Sequence, residues 1–101
     1  GRWFRPSAMT VPTPLVRAEA GAAGYRVVVG FDVDPHDYAD PGATAVAARV
    51  TAGLHPGAIV SLHTGHAGTV AAMAPILTAI RTRGLVPVGL HQLLAGVPGV
   101  G

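Results

Sequence analysis

The stretch Gly57-Ala58-Ile59-Val60-Ser61-Leu62-His63 decides how this chain is read. A short apolar run, opened by the break His55-Pro56-Gly57 and closed by the polar Thr64-Gly65-His66-Ala67-Gly68, predicts a buried strand that delivers His63 at its C-terminal end. Working outward, Val46, Val50 and Leu54 recur every four residues, with Ala47 beside them, and predict a helix before the strand with Thr44 as its cap. After the strand comes the longest predicted helix. Its expected core face is Val70, Met73, Leu77 and Ile80, with Pro75 near its start or kinking it. Arg81 and Arg83 suit the negative end of its dipole, and Gly84 closes it.

Further out, Tyr25 to Phe31 is rich in β-branched and aromatic residues and predicts another strand. Thr13-Pro14 opens a helix running from Leu15 to Ala23, which Gly24 ends, and Trp3-Phe4 is a short apolar start stopped by Arg5-Pro6. Leu85 to Leu90 predicts a last strand, at an edge because of Pro87, followed by a helical turn from Gln92 to Ala95. Strands alternating with helices predict an α/β fold: parallel strands joined by right-handed crossover helices.

With 101 residues, the chain forms one domain at most, and 50% apolar with only 12% charged residues excludes a disordered chain. The net charge of +2 comes with arginines alone, scattered at Arg2, Arg5, Arg17, Arg26, Arg49, Arg81 and Arg83. No basic stripe suits nucleic acid. There is no cysteine, so no disulfide. No apolar run reaches the roughly 18 residues of a membrane span. The N-terminus has no signal-peptide core and no initiating Met, so the chain reads as a segment of something longer and its compartment is not legible.

Polar residues gather after the strand ends, the edge that carries the chemistry in parallel α/β architectures. One cluster is Asp32-Val33-Asp34-Pro35-His36-Asp37-Tyr38; the other is His63-Thr64-Gly65-His66. If their strands are neighbours, the clusters face each other. An aspartate against a histidine fixes its tautomer and favours its charged form, as a general acid requires. The same residues also read as turn and capping aspartates and a rim histidine, and Asp40-Pro41-Gly42 is a turn by itself.

Three segments in order resemble the NodB-homology polysaccharide deacetylases, carbohydrate esterase family 4. Phe4-Arg5-Pro6-Ser7 is similar to that family's third motif, Phe31 to Tyr38 to its fourth, and Gly57 to His63 to its fifth. Gly68-Thr69, the helix through Pro75-Ile76-Leu77 and the stretch Arg83 to Leu90 are similar to the way these domains end. The resemblance implies the C-terminal portion of a distorted barrel of seven or eight β/α units, with residues 1–101 a partial domain whose metal-binding N-terminal half is missing. It implies hydrolysis of acetyl groups from N-acetylated or O-acetylated glycans. His63 would be the general acid, Asp37 would orient it and raise its pKa, and Arg5 would pair with a catalytic aspartate. Tyr38 would line the groove in place of the usual Trp, and Ser61 would stand at the acetyl pocket. A divalent metal, zinc or similar, would be held by ligands outside this chain, because neither the Thr-Phe-Asp-Asp nor the His-x-x-x-His motif occurs here. Ser7 departs from the family's second Pro.

The expected partners are an acetylated polysaccharide and the missing half of the barrel, or a second copy. The isolated chain is expected to be inactive, and the family's location is extracellular or at the cell wall. A catalytically dead module binding glycan or protein is the alternative. A small independent α/β protein binding metal through His36, His63 and His66 is a third reading.

Overall fold

The structure, a computed structural model, describes residues 2–98; Gly1 and residues 99–101 of the expected domain lie outside it. The described chain divides into two compact units, residues up to Phe31 together with those from Val88, and Asp32–Pro87.

The first unit is a βαβ element. Strand β1 (Trp3–Phe4) leads through helix α1 (Pro14–Ala22) to strand β2 (Val27–Val28), and the two strands pair in parallel with Trp3 opposite Val27. Helix α1 starts as its sequence dictates: the Thr13 hydroxyl accepts the Val16 N–H at 3.2 Å, and Pro14 occupies the first turn, where it needs no donor. At its other end Gly24 takes φ +98°, a conformation that a Cβ would strain. The Phe4 and Tyr25 rings pack with centroids 5.7 Å apart, and Ala20 and Val29 are buried. A short helix, α4 (Leu90–Leu93), belongs to the same unit.

The second unit is built on α2 (Ala43–Gly53) and α3 (Ala67–Thr82). Its core is Val46 and Val50 from α2 against Ala72 and Ile76 from α3, with Leu54, Val60, Leu62 and Ile80 packed around them. Val50 is fully buried. Val50→Ala is expected to lower stability by about 2 kcal/mol, the transfer energy of the lost methyl groups plus a residual cavity, read as a shift in the urea midpoint.

Five expectations are corrected. Only Val27–Val28 of the Tyr25–Phe31 run is strand, and the 58–62 run contributes a single parallel bridge, Val33 to Val60. Leu85–Gly89 forms no strand: Pro87 has no N–H to give, and Leu90 already begins α4. The cap of α2 is Gly42 rather than Thr44. Helix α3 turns a different face inward, with Thr69, Ala72 and Ile76 buried and Val70, Met73 and Leu77 exposed. One reason is polar: Thr69 is turned inward, where its hydroxyl donates to the buried Asp37 carboxylate at 2.7 Å. Pro75 lies well inside α3.

Candidate functional site

The site starts from the pairing of two extended segments in the second unit. The backbone N–H of Ser61 donates to the Val33 carbonyl at 2.9 Å, and those of Asp32 and Val33 both donate to the Ile59 carbonyl at 3.1 Å. This register sets the loop after Val33 beside the loop after Val60. Gly53 allows it, since a Cβ there would stand 2.9 Å from the Val33 side chain. The Arg49 guanidinium, from α2, donates to the Pro35 carbonyl at 3.0 Å and holds the loop down.

Asp37 and His63 meet at the centre. The Asp37 side chain is fully buried, and it accepts three hydrogen bonds: from the His63 backbone N–H at 2.7 Å, from His63 Nδ1 at 2.8 Å and from the Thr69 hydroxyl at 2.7 Å. Because a carboxylate only accepts, the hydrogen of His63 sits on Nδ1, and Nε2 is the ring nitrogen left for chemistry. The His63 side chain keeps 40% of its surface exposed, so a ligand can reach it. Burial pushes the Asp37 carboxyl up. The His63 backbone N–H, the Thr69 hydroxyl and the His63 ring together outweigh burial and hold the group below the ordinary value.

Three of the four aspartates of the 32–40 loop bond an imidazole, and the fourth, Asp34, bonds a histidine backbone. Asp32 takes the Ile59 N–H at 2.8 Å and pairs with His55 Nε2. Asp34 accepts the His36 backbone N–H at 2.9 Å, the turn role expected of it. Asp40 bonds His66 Nδ1 at 2.7 Å. The loop is bent to do this: His36 and Asp40, flanking the 3₁₀ turn Asp37–Ala39, both adopt left-handed backbone with φ 52° and 55°. Such residues cost on the order of 1–3 kcal/mol each and persist only where the surroundings hold them.

The two members of the Asp32–His55 pair make stability depend on pH in opposite directions. The Ile59 N–H chiefly, aided by His55, holds the Asp32 carboxyl below its ordinary value against desolvation. The hydrogen bond that His55 donates to Asp32, with the one to the Pro56 carbonyl, holds His55 above its own ordinary value. A lowered carboxyl stabilises above its unfolded pKa and loses that contribution as pH falls through the folded one. A raised histidine stabilises below its unfolded pKa and loses the contribution as pH rises through the folded one. The Asp32 and Asp37 contributions therefore fade below pH 3.8, and that of His55 fades above pH 6.5. His55→Gln is expected to flatten the decline of Tm above that upper limit; an unchanged alkaline slope would show that the exposed pair contributes nothing.

Tyr38 is half exposed and sets its ring edge-on to His63, with centroids 5.1 Å apart. Ser61 is half-buried in the paired segment, two residues before His63. Arg5 lies in the first unit, where it donates to the Pro6 carbonyl at 3.1 Å and rests 5.7 Å from the Phe31 ring centroid. Sequence assigned neither Thr69 nor Arg49 a role at the site, although Gly68-Thr69 is part of the resemblance; a threonine in the first turn of a helix after a histidine loop was the available signal for Thr69. Among the described residues, no three His, Cys, Asp or Glu side chains converge as a metal ion would need. His36, His63 and His66 are therefore not such a cluster, and each directs Nδ1 to a different partner.

Comparison with known proteins gives this geometry a context. The chain is 34% identical over 95 residues to the peptidoglycan-N-acetylglucosamine deacetylase of Bacillus cereus, covering 90% of this chain and 44% of that protein. It is also 34% identical over 95 residues to a chitooligosaccharide deacetylase of a Bradyrhizobium species, covering 80% of this chain and 43% of that one. Among solved structures, a mutant of a CE4 family pseudoenzyme with restored enzymatic activity superposes with a TM-score of 0.79 at 28% identity, covering 92% of this chain and 33% of that chain. A mutant of the peptidoglycan deacetylase PdaC of Bacillus subtilis shares the fold, with a TM-score of 0.76 at 21% identity, covering 93% and 44%. No protein-family model matches. The structural neighbours are carbohydrate esterases of a β/α barrel family, and the described residues of this chain show helices and a small parallel sheet. The chain carries a NodB-homology segment of carbohydrate esterase family 4, and it spans less than half the length of the curated relatives it matches.

Proposed function

We propose that this chain supplies the proton donor of a polysaccharide deacetylase, and that the whole protein hydrolyses acetyl groups from N-acetylated, or O-acetylated, glycans. The observation that carries the reading is the buried Asp37 carboxylate, which holds His63 through both Nδ1 and the backbone N–H while the ring stays open to solvent. When a tetrahedral intermediate collapses, its C–N bond to the sugar amine breaks and the nitrogen must gain a proton. Protonated His63 gives that proton from Nε2 and is left neutral, with its hydrogen on Nδ1 toward Asp37. For an O-acetyl group the same proton goes to the departing alkoxide oxygen.

Further roles follow from the resemblance. Tyr38 lines the glycan groove beside His63, and Ser61 stands near the acetyl group. Arg5 serves a carboxylate supplied by other parts of the domain. The barrel of seven or eight β/α units, of which residues 1–101 are the C-terminal part, is completed by residues outside this chain or by association with another copy. The family's divalent metal does not fit the described residues, which bring no three ligands together, so its ligands belong to those other parts. The chain alone is inactive on this reading.

A second reading has an observation in its favour. One structural neighbour is a family pseudoenzyme whose mutant regained activity, so this fold exists without its chemistry. Acetate release from acetylated chitooligosaccharide and from peptidoglycan, by the longest natural form with added divalent metal, separates the two. Release supports the esterase; binding of the glycan without release supports the dead module.

A further inference from the structure

His36, the histidine of the 32–40 loop, is not explained by a proton donor and its carboxylate. His36 Nδ1 shares a hydrogen bond of 2.7 Å with the Tyr38 hydroxyl, and the two rings meet edge-on with centroids 5.6 Å apart. Tyr38 in turn sets its ring edge-on to His63, at an interplanar angle of 75°. The three rings form a row in which each is fixed by the next, and His63 is its inner member.

The row is anchored at its outer end. His36 is exposed, yet it holds left-handed backbone at φ 52°, and Asp34 secures it there by accepting its N–H at 2.9 Å. Asp34 Oδ2 also stands 3.7 Å from His36 Nδ1. A half-exposed tyrosine on a short 3₁₀ turn would otherwise sample several rotamers, because half of its surface faces solvent.

We propose that His36 is a positioning residue of this site: it holds the Tyr38 hydroxyl, and the Tyr38 ring so held sets the orientation of the His63 imidazole. Asp37 fixes His63 along the Nδ1 direction; the Tyr38 ring limits rotation of the imidazole about that contact. With its hydroxyl engaged by His36, Tyr38 offers an incoming glycan its ring. The inference rests on His63 as the working residue, and its test is read independently of activity.

The test is a mutant cycle read by NMR on the His63 ring protons, whose chemical shifts report the orientation of the neighbouring Tyr38 ring. Tyr38→Phe removes only the hydroxyl and keeps the ring. His36→Ala removes the imidazole. His36→Asn keeps a polar group near the place of Nδ1 and tolerates left-handed backbone. The expected result is that Tyr38→Phe and His36→Ala move the His63 signals in the same sense, that the double variant moves them no further, and that His36→Asn restores them. In the longest natural form, kcat/KM is expected to follow the same pattern, falling about threefold or more in each single variant without compounding in the double. His63 signals that stay unchanged in Tyr38→Phe, or shifts that add in the double variant, overturn the proposal. If every form lacks deacetylase activity, the functional reading fails and the NMR cycle still decides the role of His36.

Discussion

In the longest natural form of the protein, His63→Ala is expected to lower kcat by a factor of about 10²–10⁴, the usual contribution of a positioned general acid. The fold is expected to survive, because the ring of His63 is part-exposed and the core of its unit lies elsewhere, in Val46, Val50, Ala72 and Ile76. KM is expected to change little, since the proton is delivered as the bond breaks and not as the glycan binds. Steady-state acetate release, together with a far-UV circular dichroism melt, reads both quantities. Unchanged turnover in a folded variant would remove His63 from the chemistry and leave the glycan-binding module as the better account.

The second large effect is expected at Asp37. It acts on stability as well as on turnover. Its carboxylate is the acceptor for three donors in a place without solvent. An asparagine brings one acceptor oxygen and turns an N–H toward a donor. A buried donor left without its partner costs about 1–3 kcal/mol, so Asp37→Asn is expected to destabilise by about that amount and Asp37→Ala by more. If the asparagine N–H faces His63 Nδ1, it selects the other tautomer, and the ring is no longer poised to pass a proton from Nε2 with Asp37 behind it. Turnover is therefore expected to fall by about 10² or more. The stability loss is expected to shrink in acid, since the native carboxyl is held below its ordinary value and its contribution disappears as it protonates. A variant that melts with the native protein and turns over as fast would refute the role given to this carboxylate.

Much of this arrangement was legible in local sequence. Thr13-Pro14 and Gly24 bound α1 because capping and left-handed closure are properties of single residues. The Val46–Val50 stripe named the inner face of α2 correctly, because β-branched residues four apart can share only one face. Helix α3 misled. Its larger apolar residues, Val70, Met73 and Leu77, are exposed, while Thr69 and Ala72 are buried. Side-chain hydrophobicity does not reveal that a threonine hydroxyl on α3 has a buried carboxylate to bond.

The site divides in the same way. The sequence by itself determined that aspartates and histidines gather in two loops, each after an extended run, because that follows from residue order and turn chemistry. Which aspartate meets which histidine was decided only by tertiary structure. The parallel register at Val33 and Val60 puts Asp37 under His63, Asp32 beside His55 and Asp40 beside His66. A one-residue slip of that register would reassign every pair, since it turns each side chain to the other face. Burial of Asp37 is likewise a tertiary fact: the α3 residue Thr69 and the backbone of His63 enclose it, and only their hydrogen bonds make an ionised carboxylate tolerable there.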